Sequence, residues 1–113
     1  MGRFETNDSH TNRWHQPVRV PRAKEGIFEA ARELVEDLDG WTLERSDEAA
    51  LTLYASKSNG LLGGTSKVTI TVKGPQGIPS SETHVVSESS GGLFSKDRAN
   101  VAAFCEKFWM RVT

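Results

Sequence analysis

Lys67-Val68-Thr69-Ile70-Thr71-Val72-Lys73 decides the fold. Three β-branched apolar residues alternate with polar ones at a period of two, and successive side chains on a strand point to opposite faces. One face of such a strand is buried and the other is wet, the pattern of an antiparallel sheet. Upstream, Leu51, Leu53 and Ala55 alternate with Thr52, Tyr54 and Ser56, and Trp41 and Leu43 with Thr42 and Glu44. Downstream, residues 82–89 make a fourth strand around Val85 and Val86. Between them, Arg45-Ser46-Asp47-Glu48 reads as a turn, 58–64 as a glycine-rich connection and 74–81 as a loop holding two glycines and two prolines.

Helical spacing brackets these strands. Over 23–39, Ile27, Ala30, Ala31, Leu34, Val35 and Leu38 recur every three or four residues, and Glu29, Arg32, Glu33, Glu36 and Asp37 fill the other face. Gly40 supplies the stop, because glycine takes the left-handed conformation at least cost. Over about 97–111, Val101, Phe104, Cys105, Phe108, Trp109 and Val112 form one broad apolar stripe, with Ser95 or Asp97 placed to cap its start. The expected fold is α+β: a four-stranded antiparallel sheet, five if an edge strand precedes it, with an N-terminal and a C-terminal helix packed on one face. Trp14 to Val20 supplies that edge strand or an extended lead-in, interrupted by Pro17 and ended by Pro21. Residues 1–12 contain one large apolar side chain, Phe4, and read as a flexible arm before a single domain over 13–113.

The 113-residue chain is short enough for one core, and 36% hydrophobic residues suffice to build it. Its one cysteine, Cys105, excludes an intramolecular disulfide framework and a cysteine-built zinc site. In the stripe of the last helix it reads as a small buried hydrophobe. No run reaches 18 apolar residues and the first residues lack an apolar leader stretch, so the expectation is a soluble cytoplasmic protein without membrane contact. Net charge is −1, but residues 1–24 carry five basic and two acidic side chains and residues 25–56 two basic and nine acidic. The basic lead-in over 13–24 interleaves arginine with Trp14 and His15. The neighbouring acidic block repels phosphate, so nucleic acid is not an expected partner, and the lead-in is expected to lie against the acidic helix.

Reactive constellations are sparse. His10, His15 and His84 stand at no metal-ligand spacing, so neither metal nor cofactor is expected. No G-x-S-x-G elbow occurs. In the segment from Asn59 to Lys67 the lysine follows Thr65-Ser66, and the segment runs into a strand, so it is not a phosphate loop. Carboxylates crowd a solvated helix face where nothing perturbs them. The residues therefore point away from catalysis.

Residues 18–112 resemble the bacterial family described as domain of unknown function 1499. The resemblance rests on Leu38-Asp39-Gly40-Trp41, on Tyr54-Ala55-Ser56 running to Leu62-Gly63, on Val68 to Val72, and on Ser87 to Ser90 followed by Ala99-Asn100. Thr65, Ser66 and Lys67 stand where the family carries an aromatic-x-Asp step, and Glu88 and Ser90 where it carries Ser-Arg repeats. The resemblance implies the topology and no site. The layout is also similar to helix-grip domains, in which a C-terminal helix closes a curved sheet around an apolar cavity.

The function these readings favour is binding of an apolar or amphipathic small ligand in a groove between the sheet and the last helix. Its candidate lining is Leu61, Leu62, Leu93, Phe94, Phe104, Phe108 and Trp109. The alternative is a protein-interaction module using the acidic first helix or a sheet edge. A cavity above about 300 Å³ favours the first.

Overall fold

The computed structural model describes residues 2–60, 63–90 and 95–113. In chain order these form β1 (Gly2–Glu5), a 3-10 turn (Arg13–His15), β2 (Val18–Val20), α1 (Lys24–Asp37), β3 (Trp41–Asp47), β4 (Thr52–Ser58), β5 (Thr65–Lys73), β6 (Ser81–Ser90) and α2 (Asp97–Val112). The strands build one open antiparallel sheet in the order β1-β6-β5-β4-β3, and β2 also pairs with β6. The α+β class, the four central strands and the two helices are as expected. The two extra strands arise because the ten-residue β6 is paired along both sides. β5 covers one side, while β1 on Val86–Ser89 and β2 on Ser81–Thr83 share the other end to end.

β1 corrects the reading of residues 1–12 as a flexible arm. Gly2 to Glu5 are in register with Ser89 to Val86. Just beyond, the Thr6 amide donates to the Val85 carbonyl at 2.9 Å, and the Thr6 hydroxyl accepts from the Val85 amide at 3.1 Å. Composition understated the arm because its gain comes from backbone groups on the β6 edge, which any sequence can pair.

The basic lead-in is also placed differently. Its strand is only Val18–Val20, after the 3-10 turn whose Trp14 amide donates to the Asn12 side chain. It lies against α2 and β6, not against the acidic α1. The Arg13 guanidinium sits 4.5 Å from the Trp14 ring centroid and 4.8 Å from that of Trp109. Arg22 donates to the Val112 carbonyl, and Arg19 pairs with Asp8 and Glu82. On α1, Arg32 pairs with Glu29 and Glu36 along the helix itself.

The expected turn over 45–48 is mostly strand. A bulge between Leu43 and Arg45 lets β3 continue to Asp47, where Arg45 packs over the Tyr54 ring at 4.2 Å. The chain reverses over residues 48–51, and Leu51 takes a φ of 48°. α1 ends at Asp37, before the expected stop, with Leu38 extended as its C-cap; Gly40 takes its φ of 82° in the turn that follows, where the Trp41 amide donates to the Leu38 carbonyl. At the start of α2 the cap position is Lys96, without a side-chain cap bond; Asp97 turns inward instead.

Leu53, Ala55, Val68, Ile70, Val72 and Val85 cover the inner sheet face. α1 adds Ile27, Phe28, Ala31, Leu34 and Val35, and α2 adds Val101, Phe104, Cys105 and Phe108. Phe104 and Phe108 stack with centroids 5.4 Å apart, and Trp41 packs on Phe104. Burial pushes the Cys105 thiol up to about 12, so the reactive thiolate is scarce in the folded protein.

Two outcomes follow from this packing. Native protein should react with a thiol reagent orders of magnitude more slowly than urea-unfolded protein; comparable rates would remove Cys105 from the core. Deleting residues 2–5 should lower the melting temperature, because Phe4 is partly buried and its burial contributes about 1–2 kcal/mol. An unchanged melting temperature would restore the flexible arm.

Candidate functional site

Four of the sequence candidates, Leu61, Leu62, Leu93 and Phe94, lie outside the described residues. Of the others, Phe104 and Phe108 are 0% exposed and fill the space between α2 and the sheet. Trp109 is half-buried beside them, its face covered by Arg13.

A pocket lies elsewhere, at the end of the sheet where β2 leaves β6 and the β5–β6 hairpin turns. It holds about 580 Å³. Val20, Pro21, Pro75 and Pro79 give it apolar walls. Arg19, Lys73, Glu82 and the backbone around Ser80 give it a polar rim. At the rim, the Arg19 charge is paired. Arg19 donates to Asp8 at 2.7 and 3.0 Å and to Glu82 at 2.5 Å, while Lys73 is in register with Glu82. The Arg19 guanidinium holds the Asp8 carboxyl below its usual range. Lys24 ties the hairpin to α1 by donating to the Gly74 carbonyl at 3.1 Å. Gly74 is required there, because a Cβ would stand 2.4 Å from the Ser80 carbonyl oxygen. On the inward face of β6, the hydroxyls of Ser81, which lines this pocket, and of Thr83 are buried with no partner among the described residues. Sequence reasoning missed the pocket because residues 19–21 meet the β5–β6 hairpin only in the folded chain; the loop composition over 74–81 was its one visible sign.

A second polar feature occupies the other end of the inner face. Asp97 is 1% exposed and enters the core from the first turn of α2. Its Oδ1 accepts from the Ser66 and Ser87 hydroxyls at 2.9 and 2.7 Å. Its Oδ2 accepts from Ser89 and Ser95 at 2.7 and 3.0 Å. Asn59 donates to the Ser66 hydroxyl at 2.8 Å, and Asn100 donates to Asn59 Oδ1 at 3.1 Å and to the Ser87 hydroxyl at 3.4 Å. Burial raises the Asp97 pKa, but the four serine hydroxyls outweigh it, and the net direction is down. β1 closes over this node: a Cβ on Gly2 would stand 2.5 Å from Ser95 Oγ and 2.8 Å from Asp97 Oδ2. With every carboxylate oxygen doubly bonded, the node is built to hold α2 on the sheet. Its signal in the sequence was the row of small hydroxyl residues at alternate positions of β6, facing a lone acid at a helix start.

No protein-family model matches the chain, and no curated protein matches it. Among solved structures it is similar to the crystal structure of Ara h 8.0201, with a TM-score of 0.58 and 13% identity over 98% of this chain and 94% of that one. At that identity the likeness concerns the fold alone, and it extends over the whole sheet-and-helix layout.

The Asp97 node sets an acid limit on stability. The unfolded carboxyl titrates near roughly 3.9, and the folded one lies lower. Its contribution is therefore complete above the unfolded value and is lost as pH falls through the folded one. Asp97→Ala leaves four hydroxyls without their acceptor and should cost about 3–5 kcal/mol at neutral pH, with a flatter stability profile below pH 5. A chemical-denaturation series across pH checks both; a variant as stable as the parent would deny the node its structural role.

Proposed function

We propose that this protein binds a small apolar or amphipathic molecule, and that it does so in the pocket at the β5–β6 hairpin end of the sheet. The carrying observation is the pocket itself, about 580 Å³ with apolar walls and a polar rim on which Arg19 is paired. That volume lies within the range of small-molecule sites, which combine an apolar lining with a few polar groups. Its walls are largely pre-shaped. Proline holds φ near −65°, so the Pro21, Pro75 and Pro79 surfaces cost little further order on binding. The paired state of Arg19 argues for an occupant without strong charge, since an anion would have to compete with Asp8 and Glu82.

The interaction-module alternative has less in its favour. The outer strand β3 carries a bulge and the charged residues Glu44, Arg45 and Asp47, features that blunt a sheet edge against pairing. On the acidic helix, Glu29, Glu36 and Asp37 are already engaged by Arg32 and Arg111. Kinship with the domain of unknown function 1499 family remains part of the proposal. Ser87 and Asn100, two residues that carry the resemblance, both belong to the Asp97 network.

Nile red, a neutral apolar dye, tests the binding site. It should bind the folded protein with a fluorescence rise and shift the amide resonances of Val20, Gly74 and Glu82. Ser80→Trp, at an exposed rim position, should weaken binding at least tenfold with an unchanged circular dichroism spectrum. Shifts centred on Trp109 would move the ligand to the α2 groove. Absence of binding would defeat the proposal.

A further inference from the structure

The N-terminal strand is held at its centre by an unusual group of side chains. The Phe4 ring stacks on His10 with centroids 4.7 Å apart and meets the edge of His15 at 4.8 Å. The two imidazoles are 5.8 Å from one another. From α2, the Arg98 guanidinium lies over the same Phe4 ring at 4.7 Å. One aromatic side chain thus gathers one permanent cation and two imidazoles.

Around this group, the acids are committed elsewhere. On β1, Glu5 pairs with Arg3, and only its backbone carbonyl lies within 3.1 Å of His10 Nε2. In the following loop Asp8 pairs with Arg19. On β6, Glu88 approaches Arg3, and Glu82 is shared by Arg19 and His84. On α2, Asp97 is enclosed by serine hydroxyls and Cys105 is neutral. In the 3-10 turn, Arg13 adds a further positive charge, stacked between Trp14 and Trp109. No ion pair joins His10 or His15 to a carboxylate among the described residues. His15 is 7% exposed, so its protonated form would be a nearly buried cation beside another.

We propose that His10 and His15 make β1 a pH-operated latch, in which their protonation crowds positive charge against Arg98 around Phe4 and releases the strand from the β6 edge. Burial, then Arg98 and then His10 hold the His15 pKa below its ordinary value, in keeping with this geometry. The sign follows. The folded group prefers to be neutral, so the latch is at full strength above about pH 6.5 and weakens as pH falls toward the folded value. Release frees the backbone groups of Val86–Ser89 that β1 pairs and opens the side of the Asp97 node that Gly2 covers.

Amide hydrogen exchange reads the latch directly. The Thr6 amide, bonded to the Val85 carbonyl, and the Asn7 amide, bonded to the His15 carbonyl, are its reporters. After correction for intrinsic exchange, their protection should fall at least tenfold between pH 7.5 and pH 5. Amides of β5 should keep theirs. The His10→Gln, His15→Gln double variant should lose the pH dependence of the reporters. If that variant fails to fold, His10→Gln alone should reduce the dependence. The parent's own histidine titration, followed by NMR, should track the Phe4 ring shifts. Reporter protection that parallels β5 at every pH, or an unchanged pH dependence in the variants, would overturn the proposal.

Discussion

A carboxylate taken out of water must be met by donors, or the fold that buries it is lost. Asp97 meets four, and they come from three parts of the chain: Ser66 on β5, Ser87 and Ser89 on β6, and Ser95 ahead of α2. This node sets where α2 begins and how it sits on the sheet. One turn further on, Asn100 extends the network to Asn59 in the β4–β5 connection, and Val101 and Phe104 then enter the apolar core. The helix is thus positioned by polar contacts at one end and by aromatic packing along its length. Neutral donors in place of a counter-cation give the node direction, since each hydroxyl has one proton to give and one oxygen that admits it.

The inner sheet face is consequently divided along its length. Serine and aspartate occupy one end, Val68, Ile70 and Val85 with the two stacked phenylalanines occupy the middle, and the buried Ser81 and Thr83 hydroxyls lie toward the hairpin end. The middle is filled, which accounts for Phe104 and Phe108 serving as packing. The 580 Å³ pocket lies instead at the hairpin end, where three prolines and a lysine strap shape it. With a filled centre and a pocket at its margin, a change at the exposed pocket rim touches little of the core.

β6 connects these regions. It pairs with β5 on one side and with β1 and β2 on the other, supplies two serines to the Asp97 node, and lines the hairpin pocket through Ser81 and Glu82. β1 is one of its short partners, with four residues held by backbone pairing and by Phe4 against two histidines and an arginine. Short edge strands open at lower free-energy cost than central ones, the property on which the proposed latch draws.

By itself, the sequence determined the repetitive part of this structure. The alternation over 67–73 and the helical spacing over 23–39 and 97–111 specify which faces are apolar, because burying those faces is the dominant favourable contribution to folding. Gly40 and Cys105 were legible for the same local reason: one needs a positive φ, and the other shares a stripe with Phe104 and Phe108. Only the tertiary structure decided the rest. Backbone pairing carries little side-chain signature, so β1 escaped a reading based on composition. Charge totals do not say which partner a cation meets, so the basic lead-in found α2 and Glu82 instead of the acidic helix. The pocket, the Asp97 node and the Phe4–histidine group each join residues far apart in the chain, and their chemistry exists only once the sheet has brought those residues within bonding distance.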